Sequence, residues 1–176
     1  MTPPETTTTE ETETRAVAEA YFDAVGERDV DAMVACWQPG TIDRMVGMSD
    51  LTVPQGLREW FGATFAAVPD FKFEVLEMLV DGDKAAVRWR ARGTFDGTGK
   101  VEGVAPTGSS IDLEGFDLIT VRDGKIVSNH AYVNGMEMAR QMGVMPPAGS
   151  AGERAMLAAT NAKTAARDRI RGLLNR

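Results

Sequence analysis

The chain has one cysteine and one histidine in 176 residues. A lone Cys36 excludes an internal disulfide and suits a reducing compartment, so a cytoplasmic location is expected. Beside Trp37 it reads as a small apolar core residue. One Cys and one His cannot build a zinc site of the usual kind, and no metal is expected. Glycine-rich dinucleotide and phosphate loops are missing, as is a nucleophile elbow, so no cofactor is expected. Basic charge is scarce: 19 Lys and Arg stand against 26 Asp and Glu, for a net charge of −7. Nucleic acid, which needs basic surface, is not an expected partner. No stretch approaches the roughly 18 apolar residues of a membrane span. The N-terminus has neither the basic flank nor the apolar run of a signal peptide.

What is present is enough for one domain with a real core: 43% of the residues are hydrophobic. The ends differ from the middle. Residues 1–13 lie in a Thr- and Glu-rich stretch with almost nothing apolar to bury and read as a disordered tail or a fraying helix start. Residues 14–147 form the domain. Residues 148–176 follow Pro146-Pro147 as a linker and a basic helix, Glu153 to Arg176, with a loose Ala-rich apolar stripe. This helix is expected to pack on its own domain or on a dimer mate.

Within the domain, helical periodicity predicts a helix over 14–27, a second over 30–36 capped by Asp29, and a third over 53–68. A short strand is predicted over 41–48. Longer strands follow over 71–80, 84–95, 110–122 and 125–134, and a helical turn over 136–142. Helices first and strands after predict an α+β fold: a curved, mostly antiparallel sheet with three N-terminal helices in its concave face and an extra C-terminal helix.

Alternation assigns faces. On the strand from Lys84, the residues Ala85, Val87, Trp89 and Ala91 share the inner face. Phe95 follows in the same register. Arg88, Arg90 and Arg92 share the outer face, because burying unpaired Arg is costly. On the last strand His130, Tyr132 and Asn134 share a face, and three such polar side chains call for a wet cavity or a polar surface cluster. The cavity is the expectation taken here.

The run Gly93-Thr94-Phe95-Asp96-Gly97, Pro106-Thr107-Gly108, Gly115-Phe116-Asp117, Asp123-Gly124-Lys125-Ile126, His130-Ala131-Tyr132-Val133-Asn134 and Arg140-Gln141-Met142-Gly143 resembles the SnoaL-like polyketide cyclase family in order and spacing. That family shares the cone-shaped fold of nuclear transport factor 2. The resemblance covers roughly residues 13–147. It implies a cofactor-free, aldol-type ring closure in which one carboxylate is the general acid/base. The position of the family's acid, seven residues before Gln141, holds Asn134. The family's tryptophan position holds His130, and Phe95 stands where a His is often seen. The resemblance therefore implies a divergent enzyme, a cyclase, isomerase, hydrolase or hydroxylase-like catalyst acting on a small apolar cyclic molecule. The alternative is a non-catalytic ligand-binding or dimerisation module.

The candidate catalytic residues are His130, Asp117 and Asn134, with Asp43 a weaker candidate on the early strand. The candidate ligand-binding residues are Tyr21, Trp60, Trp89, Phe95 and Tyr132. A homodimer through the outer sheet face, near Arg88, Arg90 and Arg92, is expected.

Overall fold

The computed structural model describes residues 8–174. Helix α1, Thr9–Glu27, starts five residues before the predicted Thr14. The Thr8 hydroxyl accepts from the Glu11 backbone N–H at 3.1 Å, and the Glu11 carboxylate accepts from the Thr8 N–H at 2.7 Å. This reciprocal capping box gives the polar Thr/Glu run a helical start without apolar burial. Residues 8–13 of the predicted tail thus belong to the cap and first turns of α1, and residues 1–7 lie outside the described residues. Further along, α1 buries Ala18, Tyr21, Phe22 and Val25. Helix α2, Val30–Ala35, is capped by the Asp29 carboxylate, which accepts from Ala32 N–H at 3.0 Å. Helix α3, Gln55–Ala67, buries Leu57, Phe61 and Phe65 on one stripe.

These helices pack into the hollow of a single six-stranded sheet. Its strands are β1 Trp37–Met45, β2 Ser49–Thr52, β3 Lys72–Asp81, β4 Lys84–Phe95, β5 Ser109–Arg122 and β6 Lys125–Val133. The spatial order is β2-β1-β6-β5-β4-β3. Strands β1 and β6 run parallel and every other pair is antiparallel. The α+β class, the helices in the concave face and the C-terminal helix agree with the sequence reading.

Strand β1 starts earlier than predicted. Pro39-Gly40 reads as a helix stop but lies inside the strand, where Gly40 takes φ +83° at an irregularity in the pairing with β6. A positive φ in a strand is a glycine position, and it lets the chain kink without leaving the sheet. Strand β2 was not predicted; four residues are too few to show an alternation.

The inner face of β4 carries Ala85, Val87, Ala91 and Phe95, all buried. Arg88, Arg90 and Arg92 point the other way. They pair with Glu77 and Glu114, with Asp112, and with Glu74. Such exposed pairs contribute little each, and they keep the sheet face soluble.

After β6 come α4, Gly135–Gln141, and α5, Ala151–Leu174. Arg140 donates to Glu153 at 2.6 Å and ties the start of α5 to α4. Beyond Glu153 the described side chains of α5 are exposed, so the helix does not pack on its own domain. No helix among the described residues is long and apolar enough to cross a membrane.

Candidate active site

Three polar side chains are buried together between the sheet and α1. Asp43 on β1 is 1% exposed, Asp117 on β5 is 5% exposed and Asn129 on β6 is 1% exposed. The register puts them side by side, since Asp43 pairs with Asn129 across β1 and β6. The Asn129 amide bridges the two acids. Its Nδ2 donates to Asp43 Oδ1 at 3.0 Å and to Asp117 Oδ2 at 2.7 Å. Each acid has one further donor. Tyr21 Oη donates to Asp43 Oδ2 at 3.4 Å, and Trp89 Nε1 donates to Asp117 Oδ1 at 2.8 Å.

Among the described residues no cation touches either acid, and burial is the largest influence on their titration. Desolvation pushes the Asp43 carboxyl up to about 7, aided by the neighbouring Asp117 charge and opposed by the bonds from Asn129 and Tyr21. Desolvation pushes Asp117 up to about 6, opposed by the bonds from Trp89 and Asn129. Burial and the Asp43 charge push the Tyr21 phenol well above its ordinary range, so it stays a donor. The two carboxyls share the Asn129 amide and titrate as a pair, with both protons held above the usual carboxylate range.

The acids border a cavity of about 130 Å³ whose walls are otherwise almost wholly apolar. Tyr21, Trp60, Trp89, Phe95 and Asp117 all line it, as does Asp43. Aromatic rings make one side: Phe73 lies 5.4 Å from Trp89 and 6.3 Å from Phe71, centroid to centroid. Met45, Met48, Met138 and Met142 contribute adaptable surface elsewhere. Among the described residues no group of three His, Cys, Asp or Glu could hold a metal ion.

The remaining candidates are placed elsewhere. His130 and Tyr132 lie on the outer face of β6, and Tyr132 is 48% exposed. Asn134 is exposed and caps α4, its Oδ1 accepting from Glu137 N–H at 3.1 Å. The expected cavity face of β6 is thus corrected: Asn129, Ala131 and Val133 turn inward instead. The polar face meets solvent instead of a cavity, and the alternation from Ser128 to Val133 is regular, with a bulge just before it. Val121 pairs with Ile126 but Thr120 pairs with Ser128, so Val127 is the extra residue. Ile126 and Asn129 are both buried although three residues apart, which an unbroken alternation cannot give. Beyond the bulge, Ala131 opposes inward Asp117, while His130 opposes outward Leu118. Asn129 was missed because the face carrying His130, Tyr132 and Asn134 was taken as the cavity face, and Asn129 lies on the other.

Fold and site together define a cone-shaped α+β domain with an apolar cavity and paired buried acids in its wall. Residues 15–142 match the SnoaL-like polyketide cyclase family, and the chain belongs to it. No curated protein matches the sequence. Solved structures share the fold at low identity. A protein assigned as a SnoaL-like polyketide cyclase from Jannaschia sp. CCS1 superposes with a TM-score of 0.71 at 20% identity, over 81% of this chain and 99% of its own. AclR from Streptomyces galilaeus, assigned as a hydroxylase, gives a TM-score of 0.67 at 20% identity, over 92% and 98%. SalBIII, described as an epoxide hydrolase/cyclase-like enzyme in pyran ring formation in the polyether salinomycin, gives 0.60 at 23%, over 73% and 95%.

Proposed function

We propose that the chain is a cofactor-independent enzyme that uses Asp43 and Asp117 as a proton-transfer pair on a neutral, apolar, ring-bearing small molecule, closing or opening a ring. One observation carries this reading: two buried carboxyls, bridged by Asn129, open onto an apolar aromatic cavity. Burial raises both carboxyls toward neutral pH, so the pair can hold one proton there; in this reading Asp117, anchored by the Trp89 indole, serves as base and Asp43 as acid. Asp117 would take a proton from the attacking hydroxyl or activated carbon of the substrate. Asp43 would give one to the oxygen on which negative charge develops. Anionic substrates are disfavoured, because the cavity offers two acids and its one described cation, Arg92, is paired with Glu74.

SalBIII is described as acting in ring formation, and the present reading assigns this chain a reaction of the same broad class. The support is the chemistry of the two acids, since the likeness between the chains reaches only the fold.

Native mass spectrometry of the purified protein, followed by incubation with neutral polyketide-type esters and hydroxy-epoxides, tests the reading. A cyclised product formed by wild type and not by Asp117→Asn supports it. A retained molecule released unchanged, with no turnover of any class offered, favours a binding module.

The same measurement counts subunits. We propose a homodimer through the outer sheet face, where Leu79, Phe116, Leu118 and Tyr132 are exposed alongside the paired arginines. Sedimentation at micromolar concentration is expected to show a dimer, and a Phe116→Glu variant is expected to be monomeric. A wild-type monomer at that concentration rejects the assembly.

A further inference from the structure

We propose that Glu102 is a positioning residue that fixes the Trp60 indole and lashes the loop of residues 96–108 over the cavity, so that a ligand is admitted when this carboxylate lets go. The loop leaves β4 at Phe95 and rejoins the sheet at Ser109. Its first attachment is to the end of α3, where Gly97 N–H and Thr98 N–H donate to the Ala67 and Ala66 carbonyls at 3.0 and 2.8 Å. Val101 and Val104 then exchange backbone hydrogen bonds at 3.1 and 2.8 Å and make a small closed turn. Val101 is buried in the cavity wall, and the next residue, Glu102, is exposed. The turn is therefore a partition with the cavity on one side and solvent on the other.

Glu102 joins this partition to two other elements. Its carboxylate accepts from Trp60 Nε1 on α3 at 2.8 Å and from Ser49 Oγ at the start of β2 at 3.0 and 3.2 Å. Trp60 lines the cavity, and so does Met48, the neighbour of Ser49. One exposed carboxylate thus ties together three stretches of cavity wall. Glu102 also holds φ +48°, a left-handed conformation that is uncommon for a residue with a side chain. Such strain persists where surrounding contacts impose it, and the bonds to Trp60 and Ser49 supply those contacts. Because the tie lies at the water-exposed edge, its released groups can bond water instead, which suits a gate more than a structural pin.

The role needs an acceptor at this place, and a glutamine carbonyl can fill it. Hydrogen exchange on the full chain reads the outcome at the Val101 and Val104 amides and at the Trp60 indole N–H. Ile119 in β5 serves as the reference for global opening. In Glu102→Ala the two loop amides and the indole are expected to exchange about tenfold faster or more, as loss of charge-assisted bonds implies, with Ile119 unchanged. In Glu102→Gln, protection is expected to stay close to wild type. Wild-type protection in Glu102→Ala overturns the proposal. So does equally fast exchange in both variants, or acceleration at Ile119 that matches the loop. The measurement needs no ligand, so it can fail while the two-acid chemistry stands, and the reverse also holds.

Discussion

At pH 8 the Asp43→Asn variant is expected to be more stable than the wild type by about 2 kcal/mol, and at pH 4 that gain is expected to vanish. The sign follows from where the carboxyl titrates. Unfolded, an Asp ionises near 3.9. Folded, Asp43 is pushed up to about 7 and Asp117 to about 6 by burial. Between those limits the folded chain holds protons that the unfolded chain has released. Stability is therefore full below about pH 4, falls as pH rises through the folded values, and levels off above about 7. The slope for one such proton is about 1.4 kcal/mol per pH unit, which sets a ceiling of about 4 kcal/mol for Asp43. Water and dipoles in the cavity reduce it, and about half is the expected yield.

An asparagine keeps an acceptor for Asn129 and removes the charge. Equilibrium urea unfolding of both proteins at pH 4 and pH 8 checks the result. Equal stability at pH 8 would mean that the acids are not desolvated in solution. The same substitution is expected to cost about 10²- to 10⁴-fold in turnover, the usual weight of a general acid or base. A variant that gains stability while losing activity is what a buried catalytic acid produces and a structural one does not.

Much of this site is visible in the sequence, and the part that is not has a definite cause. The inner face of β4 is legible because Ala85, Val87, Trp89 and Ala91 alternate with three arginines, and charge leaves no doubt about the side facing water. Asp117 is only half legible: it stands between Phe116 and Leu118, and plain alternation would bury those two and turn the acid outward, whereas Phe116 and Leu118 are exposed and Asp117 is buried. The inward face of β6 is not legible. Its alternation is broken at Val127 by a bulge that depends on pairing with β5, and pairing is a long-range property. Beyond the bulge the two faces alternate regularly, but the apolar Ile126 before it no longer tells which of them turns inward; taking three polar side chains as the sign of a cavity carries His130, Tyr132 and Asn134 inward and Asn129 outward. Asp43 is partly legible as an acid in an early strand. Its burial depends on the parallel pairing of β1 with β6, which joins residues 86 positions apart. The start of α1 failed differently. A polar run was weighed for burial when its capping pattern, Thr8 with Glu11, carried the signal.

Gly115→Ala is expected to destabilise the fold by about 2–3 kcal/mol and to unseat the bond between Trp89 and Asp117. Trp89 and Gly115 are direct partners across β4 and β5 and share the inner face. A Cβ at 115 would lie 2.1 Å from Trp89 Cζ2 and 2.4 Å from Cη2, well inside any tolerable contact. The absence of a side chain at Gly115 lets the indole lie flat across the neighbouring strand. There its Nε1 reaches Asp117, two residues further along the same face, at 2.8 Å. Retreat is blocked on the other side by Phe73, which packs on the same indole at 5.4 Å. The ring can make room only by swinging into the cavity, and that takes the donor away from Asp117. Loss of a bond to the ionised form raises a carboxyl further. Asp117, the proposed base, is then expected to titrate above about 6, and the pH–rate profile of the proposed reaction to shift to the alkaline side. Urea unfolding reads the first effect. The chemical shift of the Trp89 indole N–H, with and without Asp117→Asn, reads the second. If Gly115→Ala leaves that resonance unmoved and costs under about 0.5 kcal/mol, the close approach of ring and strand is wrong, and the Trp89 anchor on the base is wrong with it.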